Sequence, residues 1–250
     1  MPEFGTIGFD KSEEARSKRA KLFLVATGTL STAHLPFWLN WLSSNRPHYE
    51  VTIGLTDSAR KFVSAPALAA ITGSPVVGNT WDTADGLRPV HTRIAADYDG
   101  LLVFPASVAF TSALAAASGT SPFHLAALGT AAPVVLAPTF PPGVADNPLV
   151  ADVFRRLGSV PNYHVVEPRK GTSRSTGAET DVTAPLWDVI AAFEAARRAP
   201  APGGAPAPAS DPASAPASDP APAPGEAQAP DDAPAPAADT TVTAPVPVSA

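Results

Sequence analysis

Residues 22–31 read Leu22-Phe23-Leu24-Val25-Ala26-Thr27-Gly28-Thr29-Leu30-Ser31, and this stretch decides the fold. Its first five residues are apolar without alternation, the form of a strand buried on both faces. A glycine flanked by hydroxyls follows at once. The spacing then changes: Leu35, Trp38, Leu39 and Leu42 recur at i, i+3, i+4 and i+7, the period of a helix facing a core. Ser31 or Thr32 at its start and Pro36 in its first turn suit a helix N-terminus. The same helix carries Phe37 and Trp41 one turn apart on a second face. It is therefore apolar nearly all round, and a subunit contact is expected there.

The pattern repeats along the chain. Apolar runs at residues 51–55 (VTIGL), 101–104 (LLVF) and 134–137 (VVLA), with a shorter one at 164–166, alternate with helix-period segments. That alternation predicts a single α/β domain, a three-layer Rossmann-like fold with a doubly wound parallel sheet. A last helix is expected after Thr183 and Pro185, carrying Leu186, Val189, Ile190 and Phe193 inward and ending on Arg197 and Arg198, which suit a helix C-terminus. No internal repeat is visible.

Composition sets the domain limits. Thirteen of the thirty prolines follow residue 200, interleaved with Ala, Ser and Gly and almost no large apolar side chain. Such a segment cannot build a core, so residues 199–250 are expected to be a disordered, acidic Pro/Ala-rich tail. Residues 1–20 are read as an N-terminal extension, in part a cloning scar, which leaves 21–198 as the folded domain. The tail holds six of the 23 acids, leaving 17 against 17 Lys and Arg in the rest. A body without net charge or a basic stripe predicts neither nucleic-acid nor membrane binding. The absence of cysteine excludes disulfides, thiolate metal sites and a thiol nucleophile, and no metal centre is expected. With no signal-peptide core or membrane-length apolar run, a cytoplasmic setting is expected.

Ligands of doubly wound sheets bind beyond the carboxyl ends of the strands. Three stations lie there. The first, with Gly28, Thr29 and Ser31, presents backbone N–H and hydroxyl groups suited to a phosphate, although a plain glycine turn with a Ser or Thr cap reads the same way. The second, Thr56-Asp57-Ser58-Ala59-Arg60-Lys61-Phe62, is another hydroxyl-rich turn after the neighbouring strand. Neither is a Walker loop or a Gly-x-Gly-x-x-Gly fingerprint. The third runs His91-Thr92-Arg93-Ile94 to Asp97 and Asp99, then the strand, then Pro105-Ala106-Ser107-Val108-Ala109-Phe110-Thr111.

These stations, with Pro138 and Asn147-Pro148 downstream, resemble the homo-oligomeric flavin-containing cysteine decarboxylases. That family includes phosphopantothenoylcysteine decarboxylase and the enzymes that decarboxylate the C-terminal cysteine of ribosomally made peptides. The resemblance spans about residues 21–193. It implies FMN, or less often FAD, held by Gly28, Thr29, Ser31, Thr56, Ser58, Phe62, Pro105, Ala106 and Ser107. It implies a trimer or a dodecamer of trimers with the flavin at a subunit boundary, and a precursor peptide ending in cysteine as partner. His91 takes the position of the family's active-site histidine, and an imidazole titrates near neutrality. The implied chemistry oxidises the cysteine CH2–SH to a thioaldehyde, whose C=S bond accepts the electrons released with CO2 and leaves an enethiolate.

The chain departs from the family at the substrate. Ala109 and Phe110 stand where an Asn and a Thr are usual, and the family's Pro-x-Met-Asn-x-x-Met-Trp clamp falls on Pro138 and the residues after it without its Met, Asn or Trp. One reading rebuilds the clamp around Phe140, Pro141 and Pro142 and takes the carboxylate partner from Arg93, Ser107, Thr111 or Arg174. A second keeps flavin without decarboxylation, as a binding partner or regulatory subunit. A third, nearer to flavin prenyltransferases, needs Arg169, Lys170 and Arg174 for an allylic phosphate. Trp81 is expected to plug the core rather than cover a flavin ring. His34, His48 and His124 are expected to be surface or capping residues.

Overall fold

The computed structural model describes residues 19–81, 88–174 and 176–199. All but the last two residues of the N-terminal extension and all but the first of the Pro/Ala-rich tail lie outside them. The element order is β1 (Ala20–Ala26), α1 (Leu35–Asn45), β2 (Tyr49–Leu55), α2 (Ala65–Thr72), β3 (Val77–Gly78), α3 (Val90–Asp97), β4 (Gly100–Ala106), α4 (Val108–Ala115), α5 (Pro122–Gly129), β5 (Val134–Pro138), α6 (Pro148–Gly158), β6 (Tyr163–Val165), β7 (Arg169–Thr172), β8 (Glu179–Val182) and α7 (Leu186–Arg198). Six parallel strands form one sheet in the order β3-β2-β1-β4-β5-β6, and β7 and β8 form a separate antiparallel hairpin.

The unbroken apolar runs become strands buried on both sides because side chains alternate between faces. Leu22, Leu24 and Ala26 of β1, with Leu102 and Phe104 of β4, pack against Leu35, Leu39, Leu42, Leu186, Val189, Ile190 and Phe193 on α1 and α7. Phe23 and Val25, with Leu101 and Val103, face the other way onto Val90, Ile94, Phe110, Leu114 and Phe123. Two cores on opposite faces of one sheet are what three layers require, and the expected fold class is the one observed. Each large side chain taken wholly out of water, such as Phe23 or Phe193, contributes about 2–3 kcal/mol. Gly100 makes room for one of them: a Cβ there would lie 2.2 Å from the Phe193 ring.

Three elements differ from the sequence reading. β3, only two residues long, carries no apolar run to reveal it. The basic loop expected before the last helix is the β7–β8 hairpin, in which Arg169 pairs with Asp188 and Lys170 with Asp181. Ser31 and Thr32 do not cap α1 but lie in a 3-10 turn, Leu30–His34, that precedes it. The second face of α1 is covered in part by the chain itself. Trp38 and Trp41 meet Trp187 of α7 edge-on at 5.2 and 5.7 Å, while Phe37 stays 62% exposed. No helix among the described residues is long and apolar enough to cross a membrane.

Candidate active site at the strand-order switch

β1 is flanked by β2 on one side and β4 on the other. The chain leaves the carboxyl ends of β1 and β4 towards opposite faces, which opens a crevice between them. The turn after β1 packs directly on the turn after β2. Thr56 N donates to the Ala26 carbonyl at 3.2 Å, and a Cβ on Gly28 would lie 2.4 Å from both Cβ and Oγ of Ser58. Only glycine lets the two turns close to this distance. Thr29, Ser31, Thr56 and Ser58 thereby bring their hydroxyls to adjoining strand ends, and all four are at least partly open to solvent.

Beneath this surface lies a residue that the sequence reading passed over. Thr27 is 1% exposed; its Oγ1 donates to the Pro105 carbonyl at 2.7 Å and accepts from Ser107 N at 2.8 Å. Its own carbonyl accepts from Thr32 Oγ1 at 2.6 Å. A single Thr beside a glycine carries no periodic signal, so only topology reveals that it reaches 78 residues along the chain.

The other expected cofactor residues divide by exposure. Phe62 is 37% exposed, just after the second turn. Pro105 and Ala106 are buried in the last positions of β4, and their carbonyls are engaged by Thr27 Oγ1 and Thr139 N. They can offer a ligand little beyond van der Waals contact. Ser107 is half-buried and caps α4, accepting from Phe110 N at 3.3 Å through Oγ.

His91 sits in the first turn of α3 rather than in a loop. Its Nδ1 is enclosed and has no hydrogen-bond partner among the described residues, a condition that costs free energy unless a ligand relieves it. Trp81 meets the His91 ring edge-on, centroids 5.9 Å apart, and is 53% exposed. The expected core plug is thus an open indole beside the candidate base.

The expected substrate residues are placed differently. Ala109 is exposed on α4, and Pro141 and Pro142 are exposed beyond β5. Arg174 is exposed in the turn of the β7–β8 hairpin. Phe110 and Phe140, in contrast, are turned into the core. Phe110 is 4% exposed and stacks on the His124 ring at 4.2 Å. Phe140 is 8% exposed and packs on Phe154, while its backbone holds the hairpin through Asp181 and Thr180. The apolar surface of each ring is better hidden from water than left to line a pocket, so neither ring is presented at the surface of the crevice. Thr111 is also removed as a carboxylate partner, being wholly buried with its hydroxyl donated to the Ser107 and Val108 carbonyls.

His124 corrects the surface expectation. It is buried, its Nε2 donates to the Phe110 carbonyl at 3.2 Å, and Ser121 Oγ donates to its Nδ1 at 2.8 Å. Burial pushes its imidazole below the ordinary histidine value, partly offset by the Phe110 carbonyl.

A flavin needs hydroxyl and N–H donors for a phosphate and a polar partner at its reacting end. The cradle that only Gly28 permits, the four hydroxyls around it and the unpartnered Nδ1 of His91 fit those needs. The pairing of Arg169 and Lys170 with hairpin and α7 acids leaves less basic charge for an allylic phosphate.

Comparison with known proteins bears on the same residues. The flavoprotein family model matches residues 10–193. The chain is 28% identical over 179 residues to the cypemycin cysteine dehydrogenase (decarboxylating) of a Streptomyces species, covering 72% of this chain and 93% of that relative. The crystal structure of cypemycin decarboxylase matches with a TM-score of 0.58 and 28% identity over 71% of this chain and 93% of the other. That of an FMN-dependent cysteine decarboxylase from thioviridamide biosynthesis matches with a TM-score of 0.57 and 26% identity over 71% and 98%. The match covers both hydroxyl turns, His91 and the Ser107 turn together, and on that extent the chain belongs to the flavoprotein family.

Proposed function

We propose that this chain is an FMN-dependent cysteine decarboxylase that acts on the C-terminal cysteine of a ribosomally made precursor peptide, as in lanthipeptide biosynthesis. Its product is an enethiol for aminovinyl-cysteine formation. It works in the cytoplasm as a homo-oligomer, a trimer or a dodecamer of trimers, and its catalytic domain spans residues 21–198. The observation that carries this reading is His91, an imidazole whose enclosed Nδ1 has no hydrogen-bond partner among the described residues, in a chain whose relatives are named as cysteine decarboxylases.

FMN, when bound, would supply two-electron oxidation, taking up the two hydrogens that the cysteine CH2–SH loses; the C=S bond so formed on the substrate accepts the electrons released with CO2. The residues of the chain bind and orient. Gly28, Thr29, Ser31, Thr56 and Ser58 hold the phosphate with backbone and hydroxyl donors. Ser107 donates from its turn. His91 accepts a proton as the general base. Trp81 keeps water from one side of that imidazole. With Thr111 buried, the substrate carboxylate is left to Ser107, Arg93 or Arg174.

Incubation of the FMN-loaded protein with a peptide ending in cysteine tests this reading. The product should be lighter by CO2 and two hydrogens, and a peptide ending in serine should be unchanged. A yellow protein that leaves every cysteine-terminated peptide intact supports the second reading, a flavin-binding partner or regulatory subunit. Ala109, which offers no hydrogen bond where the family's Asn stands, favours that alternative.

A further inference from the structure

The backbone pairing of β1 with β4 runs from Leu22 and Gly100 to Val25 and Val103 and then stops. Between Val103 and Ala106 the pairing of β4 with β5 also shifts register. Pro105 has no N–H to continue a ladder. The two walls of the crevice therefore separate just where the expected cofactor residues begin, and the Thr27 hydroxyl reaches from the end of β1 to the end of β4, bonded to both the Pro105 carbonyl and Ser107 N there.

This arrangement restricts what Ser107 can do. Its N–H is committed to Thr27 Oγ1, and its Oγ already accepts from Phe110 N. What it has left for a ligand is the hydroxyl proton, with a remaining lone pair. We propose that Thr27 is a positioning residue for the flavin site: by holding Ser107 N, it aims the Ser107 hydroxyl into the crevice as a donor to an acceptor atom of the flavin. The inference rests on the flavin reading above and names the residue through which β1 acts on the far wall.

Thr130 provides a matched control. It is 8% exposed, its Oγ1 donates to the Ala95 carbonyl at 3.1 Å and accepts from Ala132 N at 3.1 Å, and it precedes β5 at the opposite end of the sheet. Thr27→Val and Thr130→Val each remove one donor and one acceptor without changing shape. FMN dissociation constants of the full-length protein, read by quenching of flavin fluorescence, separate a local role from a general loss of stability. Thr27→Val should weaken FMN binding about tenfold, Thr27→Ser should restore most of it, and Thr130→Val should stay within about twofold of wild type at a comparable drop in melting temperature. In a Ser107→Ala background Thr27→Val should have little further effect, because coupled residues are not additive. Unchanged FMN affinity in Thr27→Val, an equal loss in Thr130→Val, or full additivity with Ser107→Ala overturns the proposal and leaves the flavin reading standing. A wild-type protein that binds no FMN overturns both.

Discussion

The two ends of the crevice are built from similar strand ends and use them in opposite ways. On the cofactor side, the turns after β1 and β2 press together at Gly28 and Ser58 and present Thr29, Ser31, Thr56 and Ser58 to solvent. On the side expected to hold substrate, Phe110 and Phe140 fold back into the core, where His124 and Phe154 receive them. The site proposed for a phosphate needs only short polar side chains on backbone that the sheet already positions. A substrate clamp depends on side-chain direction, and an apolar ring on a core-facing position goes inward.

Substitutions at the two ends should separate sharply. The largest effect is expected at His91, where His91→Asn removes the proton acceptor and should lower turnover of a cysteine-terminated peptide by about 10²–10⁴-fold. Because the flavin phosphate is assigned to the turns at Gly28 and Ser58 and not to His91, the variant should keep its yellow colour, which absorbance spectroscopy checks; full turnover would take His91 out of the mechanism. Next comes Phe140→Ala. If the ring is core, as its burial indicates, chemical denaturation should show a loss of about 3–5 kcal/mol. A raised KM with unchanged stability would instead restore its place in the clamp. Gly28→Ala acts on the other side of the comparison: its Cβ would meet Ser58 at 2.4 Å, and forcing the turns apart should cost about 1–3 kcal/mol with a measurable fall in FMN affinity. Loss of stability without any change in FMN affinity would separate the cradle from the cofactor.

The smallest effect is a pH dependence at the Phe110 end. The His124 pKa is lowered in the fold, so the unfolded chain binds the proton more readily and stability falls as pH drops. Its contribution is fully present above the ordinary histidine value of about 6.5 and is lost as pH falls from there through the lowered folded value. Denaturation midpoints across that window should decline in the wild type and decline less in His124→Gln. Equal slopes would place the pH dependence elsewhere.

Much of this was legible in the residues. The strands β1, β4 and β5 could be read because each holds an unbroken apolar run, β2 because Val51, Ile53 and Leu55 recur at every second residue, and α1 and α7 because their core-facing residues keep a helical period. The turns at Gly28 and Ser58 were visible because strand ends in such a sheet are where polar residues gather. β3 was not, since two residues hold no period. Thr27 was hidden because its partners at Pro105 and Ser107 are set by strand order, which a linear pattern does not encode. The inward direction of Phe110 and Phe140 was hidden for a related reason: position after a strand says that a residue is near the strand end, and only packing says which way its ring points.

In the function proposed above, the crevice between β1 and β4 holds a flavin phosphate between the turns of Gly28 and Ser58. A crystal structure of the full-length protein grown with FMN tests it most directly. The result expected is phosphate density within hydrogen-bonding distance of backbone and hydroxyl groups of Gly28, Thr29, Ser31, Thr56 or Ser58, with the ring system towards Ser107. FMN bound instead at the β7–β8 hairpin, or those hydroxyls left without the phosphate in a fully occupied complex, would contradict it.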